Sequence, residues 1–408
     1  MKIGIITFYR VPNFGANLQA LSTYRYLENA GHTPVFLHYI SKWTSRVYDK
    51  LQNDVQVKKH FEFIDQFIPN QSKELRNSRD VLKAIEGYKL DAVIIGSDAV
   101  AQHHPLLSNQ TIHSSWKSWL KPIQPELRFP NLFWGCGVVG QVPMAFMSVS
   151  SQNSPFMKFT KKTKREMLNI LDKLEYVSSR DVWTKQMYEA IGYKKDVPIT
   201  PDPVFAFNQN ADGLIPSKDE ILKRFGLPEK YALVGLKSQV LSFDDLSYIQ
   251  GEFQKEGIEC VAFPIIPSIN YKHPFKYVVG MPLSPIDWYA IIRYSSAYIG
   301  NNMHPIVVSL HNAIPCFSLD NWGAVNFWGK KLHDNSSKVL DILSRYGLAD
   351  YRCEVENGKC TVSVEYIMEK IKSYPRMKVL KQSHNQLECY NSMMEKILSR
   401  FKCCIIQK

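Results

Sequence analysis

Short runs that are apolar on both faces recur through this sequence, each followed by a polar loop and then by apolar residues at helical spacing. A strand that reads apolar on both faces is one whose two sides are both covered, as in a parallel sheet flanked by helices. Ile3 to Phe8 is the first such run. The polar loop Tyr9 to Gly15 follows, then Leu18, Leu21 and Tyr24 to Leu27 on one helical face, with a stop at Ala30-Gly31. Further strands are expected at Pro34 to Ile40, Asp91 to Gly96, Met144 to Ser150 and Tyr176 to Ser179. A basic amphipathic helix is expected at Phe156 to Leu174, and another at Asp181 to Ala190. Residues 101–135 show no clear period and read as an insertion or surface excursion, and Pro198 to Pro203 reads as a linker.

The pattern restarts beyond it. Tyr231 to Leu236, Cys260 to Ile266, Ala297 to Gly300 and Cys316 to Leu319 read as strands. Asp244 to Gly257, Trp288 to Tyr294 and Pro305 to Asn312 read as the helices between them. Alternation in both halves predicts two parallel sheets with helices on their faces. A chain of 408 residues exceeds one ordinary core, so two Rossmann-like domains are expected, 1–205 and 206–335, followed by a helical C-terminal tail, 336–408.

No apolar run reaches the length a membrane span needs, and the opening residues lack a signal-peptide pattern, so a cytoplasmic chain is expected. The eight cysteines, among them Cys353 and Cys360, show no CxxC spacing and read as scattered reduced thiols rather than a zinc site. A formal charge of +12 suits an anionic substrate, a nucleotide-linked sugar or an acidic membrane surface. Lys and Arg are dispersed and no nucleic-acid motif accompanies them, so nucleic acid is not expected as a partner. No Walker sequence is present, which argues against P-loop chemistry.

In open parallel sheets ligands bind beyond the carboxyl ends of the strands. The polar residues there are Ser97 and Asp98, Arg180, Lys237 and Ser238, then Asn301, Asn302 and His304, which open a helix, and Asp320. Each also has a plain structural reading. Asn13 and Gly15 suit a turn and helix cap, Asp98 an N-cap, Arg180 an ion pair and His304 a packed histidine.

Taken in order, these segments resemble the polysaccharide pyruvyltransferase family. The resemblance rests on Lys2 to Phe8 with Asn13 to Ala20, on Val93-Ile-Ile-Gly-Ser-Asp98 and on Ala145 to Ser148. It continues with Val177-Ser-Ser-Arg-Asp181, Asp202-Pro203, and Ile299 to Asp320 around His304. It implies a fold similar to the glycosyltransferase-B architecture, two Rossmann-like domains facing a central cleft. It also implies transfer of pyruvate from phosphoenolpyruvate to a sugar of a cell-surface polysaccharide or its lipid-linked precursor, forming a ketal, with no cofactor and no metal.

On that reading Arg180 holds the donor's carboxylate or phosphate and His304 transfers a proton. Asn13, Gly15, Asn17, Gln19, Ser97, Asp98, Lys237, Asn301 and Asn302 bind substrate. Arg180 and His304 would converge on one anion, while His311 reads as a packing residue. Many relatives carry arginine where this chain has Asn302. That motivates an alternative, a glycosyltransferase using a nucleotide sugar, and a third reading is an inactive relative that binds glycans or anions. The partners expected are phosphoenolpyruvate and a glycan or lipid-linked oligosaccharide. The basic stretch Lys396 to Lys402 with Cys403 to Ile406 reads as a solvated helix or as a peripheral contact with the inner membrane face.

Overall fold

The computed structural model describes residues 1–51, 53–105, 124–265, 268–320 and 337–406. It divides into two compact units. The first comprises residues 1–210 with 386–406, and the second residues 211–320 with 337–385.

The first unit is built on β1 (Lys2–Ile6), β2 (Thr33–Phe36), β3 (Ala92–Asp98), β4 (Met144–Val149) and β5 (Tyr176–Ser179). All neighbours are parallel, in the order β2-β1-β3-β4-β5. Ile3, Ile5 and Ile6 of β1 and Val93 to Ile95 of β3 are fully sealed from solvent, as expected of strands covered on both sides. The second unit carries β6 (Tyr231–Gly235), β7 (Glu259–Ala262), β8 (Tyr277–Val278), β9 (Ala297–Gly300), β10 (Cys316–Asp320), β11 (Arg352–Glu356) and β12 (Lys359–Cys360). Their order is β12-β11-β10-β9-β6-β7-β8, and only the β11–β12 pair is antiparallel.

In each sheet the strand order reverses direction once, between β1 and β3 in the first unit and between β6 and β9 in the second. At such a reversal the connecting loops run off to opposite sides and leave a crevice above the carboxyl ends of the two strands. The segments after β1, β3, β6 and β9 are therefore the ones the topology leaves free to meet a ligand.

Several expectations are corrected. The segment 336–408 is not a separate helical tail. Its described part supplies β11 and β12, and is divided between the two units, the long helix Arg376–Ile406 contributing to both. Pro198 to Pro203 is not a linker. Ile199 bridges Ser179, and Asp202 caps the turn Pro203–Ala206, whose residues are buried in the first unit. The division between units falls after Asn210 instead. The expected helix at Phe156 begins only at Lys161, because Thr160 caps it there, and ends at Leu171. Five helices had no counterpart in the expectation, Lys42–Lys50, Val55–Phe67, Ser78–Tyr88, Phe207–Ala211 and Lys218–Phe225. Of the expected excursion 101–135, residues 106–123 lie outside the described residues. Phe133 and Trp134 within it belong to the core rather than the surface, the Trp134 indole donating to the Gln102 carbonyl at 3.1 Å.

Candidate functional site

In the first unit, the crevice-facing ends are tied together from inside. The Thr7 hydroxyl, just past β1, donates to the Ser97 carbonyl at 2.6 Å, and the Ser97 hydroxyl donates to the Ser148 carbonyl at 2.8 Å. Three strands are thereby held at their carboxyl ends by side chains that are themselves buried. Arg180 is the first residue after β5, and its backbone N–H donates to Val149 at 2.8 Å. Its guanidinium is 3% exposed and lies between two carboxylates, with Nη1 2.9 Å from Asp202 Oδ2 and Nη2 3.5 Å from Asp98 Oδ1. Burial by itself would lower its pKa. The Asp202, Asp98 and Asp181 carboxylates reverse this and hold the group charged.

Asp202 is equally enclosed. It accepts a second hydrogen bond from the Gln19 amide at 2.5 Å, while its other oxygen accepts from the Val204 N–H at 3.0 Å. Asp98 is the outermost member of this group, with 17% of its side chain exposed. Asn17 is also buried. It donates to the carbonyls of Tyr9 at 2.6 Å and Val11 at 3.2 Å and pairs with His60 Nδ1 at 2.6 Å, which fixes the loop after β1. Asn13 caps the helix Phe14–Asn29 by accepting from the Ala16 N–H, and Gly15 is that helix's second residue.

Of the residues expected to bind substrate in this unit, Asn17, Gln19 and Ser97 thus have their polar groups engaged inside. Asn13 and Asp98 reach the surface. Past the end of β1 opens a small recess of about 30 Å³ whose lining includes Phe8, Arg10, His38, Tyr39, Tyr48 and Glu126.

In the second unit the reversal between β6 and β9 is equally specific. Gly235 and Gly300 are paired, and a Cβ on Gly300 would lie 2.2 Å from the Gly235 carbonyl oxygen. Only glycine permits that approach. The next residue, Asn301, is fully buried and ties three strand ends. Its backbone N–H donates to Gly235 at 3.0 Å, its side-chain oxygen accepts from the Lys237 N–H at 2.8 Å, and its amide donates to the Leu319 carbonyl.

Asn302 has φ of 78°, turning the chain into the helix Met303–His311, whose first amides receive no side-chain cap. His304 lies in that first turn and is half-buried, and Lys237 and Ser238 are exposed on the loop after β6. Lys237, Asn301, Asn302 and His304 are therefore gathered at one edge of one unit. Arg180 belongs to the other unit. His311 closes the same helix, and burial together with Arg293 pushes its pKa down, as suits a packing residue. Asp320, at the end of β10, is buried against Arg352 Nε at 2.7 Å. Among the described residues, no group of three or more His, Cys, Asp or Glu is arranged to hold a metal ion.

Two residues here were not among the expected site residues. Asp202 had a local signal, an acid before proline, but its partner Arg180 lies across the sheet end. Arg352 had none, lying in a segment read as helical.

The family model for polysaccharide pyruvyl transferase matches residues 13–323, which takes in both of these strand-end clusters. The chain belongs to the polysaccharide pyruvyl transferase family. Among curated proteins no match is found. Solved structures resemble this pyruvyl transferase family member in fold. The UDP-GlcNAc 2-epimerase of Neisseria meningitidis aligns with a TM-score of 0.53 at 9% identity, over 98% of this chain and 100% of that one. The UDP-GlcNAc 2-epimerase of Methanocaldococcus jannaschii gives 0.52 at 12% identity, over 92% and 94%. A glycosyltransferase of Rickettsia africae gives 0.50 at 10% identity, over 100% and 99%. These are glycosyltransferase-B-type folds, in agreement with two Rossmann-like domains. At such identity the likeness concerns the fold alone.

Proposed function

We propose that this pyruvyl transferase family member moves the pyruvyl group of phosphoenolpyruvate onto paired hydroxyls of a sugar in a cell-surface polysaccharide or its lipid-linked precursor, forming a ketal and releasing phosphate. The observation that carries this reading is the edge at β6 and β9. There His304 opens a helix whose amides lack a side-chain cap, next to the loop bearing Lys237. Helix N-termini favour phosphate, and a lysine adds a point charge.

The chemistry asks for both features. The donor's methylene carbon must gain a proton, and the adjacent carbon then accepts a sugar oxygen as the phosphate leaves. His304 supplies that proton, while Lys237 and the helix amides hold the phosphate. A second hydroxyl closes the ketal, and each hydroxyl gives up its proton to a base or to solvent. In the first unit, Asp98 is the outermost carboxylate of the Arg180 group and is open to accept a hydrogen bond from a sugar hydroxyl, with Arg180 acting as the residue that positions it. Purified protein given phosphoenolpyruvate and candidate glycans should release inorganic phosphate. No release with any acceptor, together with no calorimetric signal for the donor, would count against the proposal.

A second reading keeps the fold and takes a nucleotide sugar as donor. Its support is that the Neisseria meningitidis structure was solved bound to UDP-GlcNAc, together with Asn302 where an arginine is common among relatives. Thermal-shift comparison of UDP-sugars with phosphoenolpyruvate separates the two. No described helix is long and apolar enough to cross a membrane. A peripheral membrane contact through Lys396 to Lys402 remains part of the proposal. Ile397, Leu398 and Phe401 of that segment are buried, so its exposed side chains, Lys396, Ser399, Arg400 and Lys402, are the ones available for the contact.

A further inference from the structure

The second unit carries a pair of thiols that the ketal chemistry does not use. Asn357 and Gly358 both have positive φ, 50° and 76°, and join β11 to β12 in a tight turn that sets Glu356 opposite Lys359 and Val355 opposite Cys360. Such a two-residue turn needs left-handed backbone at both positions, which Asn and Gly tolerate best. Side chains alternate along a strand, so Cys353, two residues before Val355, projects from the same face as Val355 and hence as Cys360. The sulfurs lie 3.2 Å apart, closer than two unbonded sulfurs normally pack.

Cys353 is buried and Cys360 is partly exposed, so one thiol of the pair is open to a reagent and the other is shielded behind it. The hydrogen bond from Cys353 lowers the Cys360 pKa, so of the two thiols it is the one favoured as thiolate. The Cys360 N–H also donates to the Val240 carbonyl at 3.1 Å, and residue 352, next to Cys353, is the arginine on Asp320. The hairpin is thereby anchored both to the loop that follows β6 and to the end of β10.

We infer that Cys353 and Cys360 form a reversible disulfide, a modification site whose reagent is a low-molecular-weight disulfide such as oxidised glutathione. The Cys360 thiolate attacks one sulfur of the reagent, forming a mixed disulfide and expelling one glutathione thiolate. The Cys353 thiol then loses its proton and attacks the Cys360 sulfur, expelling the second. Two protein thiols are oxidised by two electrons, the reagent is reduced to two thiols, and the protons released by the protein end on them.

The test equilibrates the full-length protein in glutathione buffers from fully reduced to fully oxidised. It is then quenched in acid and alkylated, and the eight cysteines are mapped by mass spectrometry. Cys353 and Cys360 should lose alkylation together in one transition and regain it with dithiothreitol, while buried Cys260 and Cys316 stay alkylated once the chain is denatured. In the Cys353→Ser variant, Cys360 should stop as the glutathione adduct. In Cys360→Ser, Cys353 should stay reduced. Both variants are compared with the parent in melting temperature, so that only folded protein is scored. The inference is overturned if both thiols persist in fully oxidised glutathione, or if either pairs with another cysteine instead. Because the readout needs no sugar or phosphoenolpyruvate, its failure would leave the pyruvyl-transfer reading untouched.

Discussion

Arg180 Nη1 stands 2.9 Å from Asp202 Oδ2, and neither side chain exposes more than 3% of its surface. A buried pair of this kind holds its elements together at a desolvation cost, so removing one partner strands the other's charge. Asp202→Ala should lower stability by about 3–5 kcal/mol, read as the urea midpoint of the full-length protein. Arg180→Lys separates two roles. If Arg180 positions Asp98, the melting temperature falls while the Michaelis constant for phosphoenolpyruvate stays within about twofold. If it grips the donor, that constant rises steeply, since an ammonium does not reproduce a guanidinium's two-pronged geometry.

His304→Ala should reduce turnover of phosphoenolpyruvate by about 100-fold or more, the range expected on losing a proton-transfer group. The pH profile should flatten on its alkaline side, where loss of the donated proton would otherwise slow the reaction. Lys237→Ala should act mainly on donor binding, raising the Michaelis constant with little change in turnover. Steady-state phosphate release measures both. Equal effects of the two substitutions on both constants would argue that neither contacts the donor.

Asn301→Ala removes the acceptor for the Lys237 N–H and the donor to the Leu319 carbonyl. Leaving such groups unpaired in the interior costs about 1–3 kcal/mol. Asn301→Asp keeps the acceptor but sets a carboxylate oxygen against the Leu319 carbonyl in the interior, so it should be less stable than the alanine variant. Melting temperatures of the three proteins check the order.

The first unit should be acid-labile. Burial pushes the His38, His60 and His103 pKa values down to about 4, with Arg10 and Arg76 adding to the effect at His38 and Arg128 at His103. An unfolded histidine titrates near about 6.5, so between these values the unfolded chain binds protons that the folded one does not. The stability contributed by these neutral rings is complete above about pH 6.5 and is lost as the pH falls through about 4. His60→Asn preserves a polar group toward Asn17 and should reduce this loss by several degrees of melting temperature at pH 5, relative to its effect at pH 8. A parallel shift at both values would mean that His60 does not titrate in this window.

Much of this architecture is legible in the chain because parallel strands advertise themselves. Ile3 to Phe8 and Val93 to Ile95 are apolar throughout, and a chain can bury such runs on both sides only beneath helices. The strand-end residues followed from the same rule. It was not legible which of them turn inward, because Gln19 and Asp202 meet across far-separated segments and hydrogen-bond direction leaves no trace in spacing. The hairpin at Asn357-Gly358 did carry a local signal, the strongest short turn pair known. It was masked by the helical periodicity on either side, at Lys338–Arg345 and Val364–Lys372. The helices between Lys42 and Tyr88 escaped because their caps, Ser41, Asp54 and Asn77, resemble ordinary loop residues until the following amides are seen to donate to them.

The seven-stranded sheet finishes at each border in a strand of two residues, Tyr277–Val278 on one side and Lys359–Cys360 on the other. So little unpaired backbone gives an incoming chain almost no template to zip onto. This unit should therefore resist growing into ordered aggregates even when concentrated, and any self-association it shows should be insensitive to changes at those two borders.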